Sequence, residues 1–214
     1  GLIYGVNTGF GALSDIGIEP HETKRMQVNL IRSHSTGIGK PLATEVVRAL
    51  MLLRANTLAK GFSGIRFETL ETLVEMLNKG VHPVIPSKGS VGASGDLAPL
   101  SHMILVLMGE GIAEYQGSVL SGKEAMARAK IRPVELECKE GIALNNGTQL
   151  MTAIAALAVY DAEMLLKTAQ VAAALTLEAL LGVSDAFDAK IHSIRPHKGQ
   201  AVVARDVKKA FAGS

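Results

Sequence analysis

The sequence predicts a mainly α-helical fold that contains a few short β segments. Hydrophobic residues make up 48% of the 214-residue chain, whereas aromatic residues make up only 4% and Trp is absent. The core must therefore be packed by Leu, Ile, Val, Met and Ala, which suits close contact between helices. Apolar residues also recur at helical spacing in several segments. The longest such segment is an apolar run from Thr148 to Leu181.

The first part of the chain is expected to form a loop followed by three helices. Glycine and turn-forming residues dominate positions 1–19, where glycine permits backbone conformations closed to other residues. Apolar side chains then fall on one face of three predicted helices, over His21–Ser35, Leu42–Lys60 and Phe67–Lys79. Pro41 is placed at or just before the first turn of the second helix, and Gly61 and Gly80 end the second and third.

The middle of the chain is expected to alternate extended segments with helices. Two prolines keep Val81–Pro86 extended. Asp96 has the side chain of an N-cap for a helix over Leu97–Met108, in which Pro99 is tolerated in the first turn. A β-hairpin is predicted over residues 111–121, around a Gln-Gly pair.

The last part of the chain is expected to be helical apart from one loop. Ser121 and Glu124 form a capping-box pattern that opens a short helix ending near Ala129. The longest helix is predicted over Thr148–Leu181, a loop over Phe187–Gly199, and a final helix from near Gln200.

The long apolar run has two alternative interpretations, a membrane span and an enclosed helix. Its only charged side chains are Asp161, Glu163, Lys167 and Glu178. These charges interrupt the run before it reaches the roughly 20 apolar residues that a bilayer requires, so a membrane span is rejected. A helix that is apolar nearly all round must be enclosed by other helices. Because the chain supplies few long partners, we expect either further sequence or an oligomer.

The bulk composition excludes several classes of protein. The net charge is +2 and the basic residues are scattered, which argues against a nucleic-acid partner. The single cysteine, Cys138, cannot form an intramolecular disulfide and favours a reducing compartment, so a cytoplasmic location without a secretory signal is expected. No metal site is expected, because four histidines lack ligand spacing and are interpreted as structural or surface residues: His82, His102, His192 and His197.

The glycine-rich segment before Leu97 admits several interpretations. Phosphate binding is disfavoured, because the Walker and dinucleotide patterns both fail and Asp96 would repel an anion. A nucleophile elbow is disfavoured because Asp96 stands where a second glycine belongs. A tight turn before a capped helix is the simplest interpretation. The remaining one is backbone cyclisation, for which Ala93, Ser94 and Gly95 offer small side chains and a hydroxyl that can leave as water.

The surrounding residues resemble a known family. The segment Gly92–His102, with the sequence GASGDLAPLSH, resembles the signature of the histidine and phenylalanine ammonia-lyases. Five further segments resemble this family in the same chain order: Tyr4–Gly11, Ser33–Gly39, Asn145–Gln149, Phe187–His192 and Arg195–Gln200. The resemblance therefore spans essentially the whole chain.

The resemblance implies a set of site residues. In this family an Ala-Ser-Gly tripeptide loses two waters to form methylidene-imidazolone (MIO), so Ala93, Ser94 and Gly95 would supply this electrophile with no external cofactor. Asp96 would assist its formation. Two further roles are implied: Asn146 would contact the ring or the substrate, and Tyr4 would act as an acid or base near the β-carbon of the substrate.

The substrate is predicted from the pair Ser33-His34. The resemblance places His34 where the family contacts the substrate side chain, and Ser33-His34 resembles the pair of the histidine lyases. An imidazole beside an imidazole substrate can donate or accept a hydrogen bond. Elimination of ammonia from L-histidine to give urocanate is therefore favoured over a tyrosine or phenylalanine lyase or an aminomutase.

The resemblance also implies an architecture and an assembly. Residues 1–145 would form the MIO-forming domain, and residues 146–214 would begin the central helical bundle of a homotetramer with shared active sites. The chain is expected to be an N-terminal half of such an enzyme, so a catalytically incompetent scaffold is an alternative. Three site residues also have ordinary structural explanations: Tyr4 as a loop packing residue, His34 as a helix C-terminal charge and Asn146 as a helix cap.

Overall fold

The computed structural model describes residues 1–92 and 95–213. It is mainly helical with short strands, which confirms the predicted fold class. The chain separates into two compact units, Gly1–Ala155 and Ala156–Ser214. The domain boundary expected at residue 145 from the family resemblance stays a prediction.

The first unit contains six complete helices and five short strands among its described residues. The helices are α1 Thr23–His34, α2 Thr44–Leu58, α3 Phe67–Lys79, α4 Leu97–Leu107, α5 Gly122–Arg128 and α6 Glu140–Asn145. The strands are β1 Ile38–Pro41, β2 His82–Pro83, β3 Pro86–Lys88, β4 Ile112–Tyr115 and β5 Ser118–Ser121. β1 pairs antiparallel with β3, and the other strands form a sheet in the order β2-β4-β5.

Local sequence chemistry accounts for most of these boundaries. Gly80 ends α3 with a left-handed φ of +73°, a conformation that glycine adopts without steric cost. Gln116 and Gly117 turn the hairpin with φ values of +50° and +77°, the combination of a primed two-residue turn. The hydroxyl of Ser121 accepts a hydrogen bond from the amide of Glu124 at 3.3 Å, so the predicted cap of α5 is confirmed.

Two expectations for the first unit were wrong. Pro41 lies in β1 opposite Pro86 of β3, and α2 begins only at Thr44. The amide that proline lacks is not needed at the edge of a two-stranded sheet, so both prolines are tolerated there. The helix α6 was also missed, because six residues are too few to show a helical period.

The core of the first unit is centred on α4. Leu100, Met103, Ile104 and Leu107 of this helix are all fully buried. Around them lie apolar side chains from α1, α2, α3, α5 and the hairpin. Burial of most of α4 holds its N-terminus in place, and this N-terminus directly follows the glycine-rich segment.

The second unit comprises most of a long helix and two shorter ones. These are α7 Gln149–Ala179, whose first residues belong to the first unit, α8 Ala189–Ser193 and α9 Lys198–Ala210. The prediction of a loop over Phe187–Gly199 was wrong at α8. The carboxylate of Asp188 accepts a hydrogen bond from the amide of Lys190 at 2.9 Å and so begins this short helix.

The long apolar helix is largely exposed. Leu165 and Leu175 keep 71% and 61% of their surface in solvent. By length and composition alone, the helical segment Glu140–Ala179 has a window of mean hydropathy 1.3 that meets the criterion for crossing a membrane. A helix enclosed by other protein has the same composition, so this test does not separate the two interpretations. Enclosure by other helices stays a prediction.

Candidate active site

The tyrosine of the first loop is accessible and held by local contacts. About half of Tyr4 is exposed, and its hydroxyl accepts a hydrogen bond from the amide of Gly11 at 3.4 Å. Its ring meets that of Phe10 edge-on, with centroids 5.9 Å apart. The packing role is therefore observed, and the exposed hydroxyl remains available to a ligand.

His34 is oriented by the last turn of α1. Its Nδ1 lies 2.9 Å from the carbonyl oxygen of Leu30 and 3.1 Å from the hydroxyl of Ser33. A carbonyl can only accept, so Nδ1 carries the proton. In the neutral ring Nε2 is then an acceptor. The contact with a terminal carbonyl also fits the expected helix-end role.

The side chain of Asp96 differs from its predicted role. Asp96 precedes α4, but its fully buried carboxylate makes no cap hydrogen bond to that helix. Pro99 at the third helical position has no amide proton, so α4 offers only the amide of Ala98 at the second position as a donor for such a bond. The carboxylate instead accepts hydrogen bonds from the amides of Leu150 and Met151 at 2.8 and 3.0 Å, so it caps α7 from a distant part of the chain.

Further contacts complete the surroundings of Asp96. The hydroxyl of Ser90 donates to the carboxylate at 2.5 Å, and the amide of Asp96 donates to the carbonyl oxygen of Gly147 at 2.6 Å. Within the described residues, no ion pair joins Lys88 to Asp96. Asp96 therefore links the glycine-rich segment to the start of α7.

Gly95 and Asn146 are brought together. Gly95 has a φ of +129°, and a Cβ added there would lie 2.5 Å from Oδ1 of Asn146 and 3.0 Å from the amide nitrogen of Gly147. Asn146 ends α6 and does not cap α7, because Asp96 already binds the first amides of that helix. Ala93 and Ser94 lie outside the described residues.

Gln27 connects the loop of Tyr4 to α6, the helix that Asn146 directly follows. This buried side chain on α1 donates to the carbonyl oxygen of Gly5 at 3.2 Å and accepts from the amide of Gly141 on α6 at 2.9 Å. Gln27 and His34 are seven residues apart, two helical turns, and so lie on one face of α1. The structure thus ties the Tyr4 loop and the Asn146 helix to the helix of His34.

A second link joins the His34 segment to the glycine-rich segment. The pairing of β1 with β3 places Gly37 beside Gly89. A Cβ added to Gly89 would lie 3.0 Å from the Cα of Gly37. The amide of Gly37 donates to Nε2 of His102 at 3.1 Å. Burial lowers the pKa of His102, which favours the neutral ring that this bond requires. His102 is thus structural, as predicted.

Glu140 holds the start of α6 in place, and it was not identified as an important residue from the sequence. It is 1% exposed and accepts hydrogen bonds from Arg66, Thr69 and the amide of Glu137. Burial by itself raises the pKa of Glu140, but these hydrogen bonds outweigh it and hold the pKa below its ordinary value. No sequence motif marks this residue, since its partners are 71 and 74 positions away.

Replacing Glu140 by glutamine is expected to destabilise the fold by about 2–4 kcal/mol at pH 7, because the charge-assisted bonds to Arg66 and Thr69 are weakened in a buried place. A carboxylate whose pKa is lowered by folding stabilises the fold at pH values above its ordinary pKa. This contribution is lost as the pH falls through the folded-state pKa. Urea unfolding measures the difference in the free energy of unfolding between wild type and Glu140→Gln. This difference should be smaller near pH 3 than at pH 7. The control is Glu124→Gln, an exposed residue paired with Arg128; an equal effect there would contradict the prediction.

Comparison with known proteins matches the whole chain. A family model described as aromatic amino acid lyase covers residues 1–214. The chain belongs to the aromatic amino acid lyase family. It is 60% identical to a histidine ammonia-lyase of Alkaliphilus metalliredigens and 62% identical to one of Alkaliphilus oremlandii, each over 213 residues. These alignments cover all of the chain and 42% of each relative.

Solved lyase-family structures share the fold. A phenylalanine aminomutase of Pantoea agglomerans aligns with a TM-score of 0.94 at 37% identity, over all of the chain and 41% of that protein. A histidine ammonia-lyase of Trypanosoma cruzi aligns with a TM-score of 0.90 at 41% identity, over 97% of the chain and 40% of that protein. The chain therefore spans about two fifths of the length of the relatives it matches.

Proposed function

We propose that the protein eliminates ammonia from L-histidine to give urocanate, by means of an MIO group formed from Ala93, Ser94 and Gly95. The observation that carries this proposal is the placement of Gly95 directly against Asn146, with Asp96 bound across to α7. The relatives named histidine ammonia-lyases, at 60% and 62% identity, support the same reaction.

The described residues fit an MIO group on its Gly95 side. Gly95 has no room for a side chain and a backbone conformation that L-residues rarely adopt. Its neighbours offer the amide of Gly147 and the side chain of Asn146 at short range. When present, MIO supplies an electrophile that activates the amino group of the substrate for elimination.

The side chains of the chain itself account for binding and proton transfer. Nε2 of His34 would accept a hydrogen bond from the imidazole N–H of the substrate, since Nδ1 is engaged by Leu30. The oxygen of Tyr4, ionised to the phenolate, would take the proton from the β-carbon, and the resulting hydroxyl would return it in the reverse direction. Asn146 would orient the substrate beside Gly95. The β-proton and ammonia leave together, so that urocanate gains its double bond without an oxidant.

The exposed surface of α7 and the composition of the chain support an assembly and a location. The exposed apolar side chains of α7 need cover, which a homotetramer with shared active sites would supply. A cytoplasmic enzyme with a small amino acid substrate, and with neither nucleic acid nor membrane as partner, fits the single cysteine and the low net charge.

The proposal is tested on the full-length protein that carries this sequence. Intact mass should be lower than the sequence mass by two waters, and L-histidine should yield the ultraviolet absorbance of urocanate. Tyrosine and phenylalanine are assayed beside it, because the aminomutase neighbour favours a second candidate reaction, whose product is a β-amino acid. Unmodified mass in folded protein would exclude the MIO mechanism. A modified full-length protein that leaves all three amino acids unchanged would contradict the proposed reaction. Absence of turnover by the 214-residue chain assayed alone would support the scaffold alternative.

Replacing His34 by phenylalanine is expected to raise KM for histidine about tenfold, the worth of one hydrogen bond of ~1.4 kcal/mol, while the two-water mass loss persists. The readouts are steady-state kinetics and intact mass. His21→Phe serves as the control, because His21 is an exposed histidine just before α1. An unchanged KM in His34→Phe would show that this ring does not contact the substrate.

A further inference from the structure

Arg54 is a cation buried in the first unit. Its side chain lies on α2 and only 3% of the residue is exposed. Burial lowers the pKa of Arg54 to about 10, which still leaves it charged at neutral pH. In the described part of the chain no carboxylate forms an ion pair with it. A buried charge is unfavourable unless hydrogen bonds replace its lost hydration. The hydrogen bonds of Arg54 therefore indicate what this side chain does.

Among the described residues, every hydrogen bond of Arg54 goes to the end of α6 or the start of α7. Nη2 donates to the carbonyl oxygens of Ala143 and, at 3.1 Å, of Asn146. Nη1 donates at 2.9 Å to Oε1 of Gln149, the first residue of α7. The end of one helix and the start of the next are therefore bound by a single guanidinium.

Gly95 and Arg54 lie on opposite sides of the peptide that joins Asn146 to Gly147. In a trans peptide the carbonyl and the amide point in opposite directions. The Asn146 carbonyl binds Arg54, so the Gly147 amide points away from it. That amide nitrogen is 3.0 Å from the place where a Cβ of Gly95 would stand. A Cβ added to Gly147 would overlap Nη1 of Arg54, so the turn is also closely packed against the arginine.

We propose that Arg54 is a positioning residue that presses the Asn146-Gly147 turn against Gly95. This role rests on the proposed function, because it sets Asn146 for both tripeptide cyclisation and substrate contact. The positive charge behind the peptide also polarises it, and so strengthens the Gly147 amide as a donor toward Gly95. Lysine can replace the forked guanidinium only in part, because its single ammonium group does not reach two carbonyls and a side-chain amide together.

The test compares Arg54→Met and Arg54→Lys with wild type in the full-length protein. The folded fraction is isolated by size exclusion, and its intact mass gives the share that has lost two waters. We expect Arg54→Met to be largely unmodified and to lose about 100-fold in kcat, the effect of an ångström-scale displacement. Arg54→Lys should recover part of the modification. Arg48→Met is the matched control, because Arg48 lies on the same helix but binds Leu77 and His82.

The outcomes separate the possible roles. A merely structural Arg54 would lower the unfolding temperature but leave the folded fraction fully modified, and that result overturns the proposal. If Arg54→Met does not fold, Arg54→Lys decides: full modification with wild-type kcat overturns the proposal, and partial modification supports it. Wild-type protein without the two-water loss would instead contradict the proposed function.

Discussion

Replacing Gly95 by alanine is expected to abolish the two-water loss and to lower lyase activity by at least about 100-fold. The added methyl would lie 2.5 Å from Oδ1 of Asn146 and 3.0 Å from the amide nitrogen of Gly147. Asn146 cannot retreat freely, because the turn that carries it is bound to Arg54. Alanine is also strained at the φ of +129° that Gly95 adopts. Intact mass and urocanate absorbance measure the two effects.

The control for this substitution is Gly61→Ala. Gly61 also has a positive φ, +79°, but no atom lies within 4 Å of an added Cβ. The Gly61→Ala substitution therefore introduces backbone strain without a steric clash. We expect Gly61→Ala to lower stability by about 1 kcal/mol and to leave the modification intact. If Gly95→Ala still loses two waters and turns over histidine normally, close packing of Gly95 on Asn146 is not required.

Replacing Asp96 by alanine is expected to destabilise the fold by about 2–5 kcal/mol and to prevent MIO formation. The carboxylate is fully buried and is the acceptor for the amides of Leu150 and Met151 and for the hydroxyl of Ser90. Each buried donor left without a partner costs about 1–3 kcal/mol. The start of α7 also loses a negative charge that complements the helix dipole. Denaturant unfolding measures the first effect and intact mass the second.

Two variants separate these contributions. Asp96→Asn keeps one acceptor oxygen, so about half of the stability loss is expected while the negative charge is gone. Asp15→Ala removes an exposed aspartate of the first loop and should change stability by less than about 0.5 kcal/mol. An Asp96→Ala protein as stable as wild type would show that α7 does not depend on this cap.

Periodic and turn residues were enough to predict most elements of the fold. Apolar spacing predicted α1, α2 and α3 to within a few residues, and the position of Asp96 and the long apolar run did the same for α4 and α7. Ser121 and the Gln116-Gly117 pair predicted a helix cap and a hairpin, because these devices act over four residues or fewer. Local interactions of this kind can be recognised in a sequence without knowledge of the partner segments.

The sequence by itself also determined the family, through the segment Gly92–His102 and the order of the motifs around it. What only the tertiary structure decided is how the site is held. Asp96 caps a helix 54 residues away and makes no cap hydrogen bond to the helix that directly follows it. Arg54 and Gln27 bind backbone groups 92 and 114 residues distant. A backbone carbonyl or amide exists at every position, so no residue pattern reveals which one a buried side chain will reach.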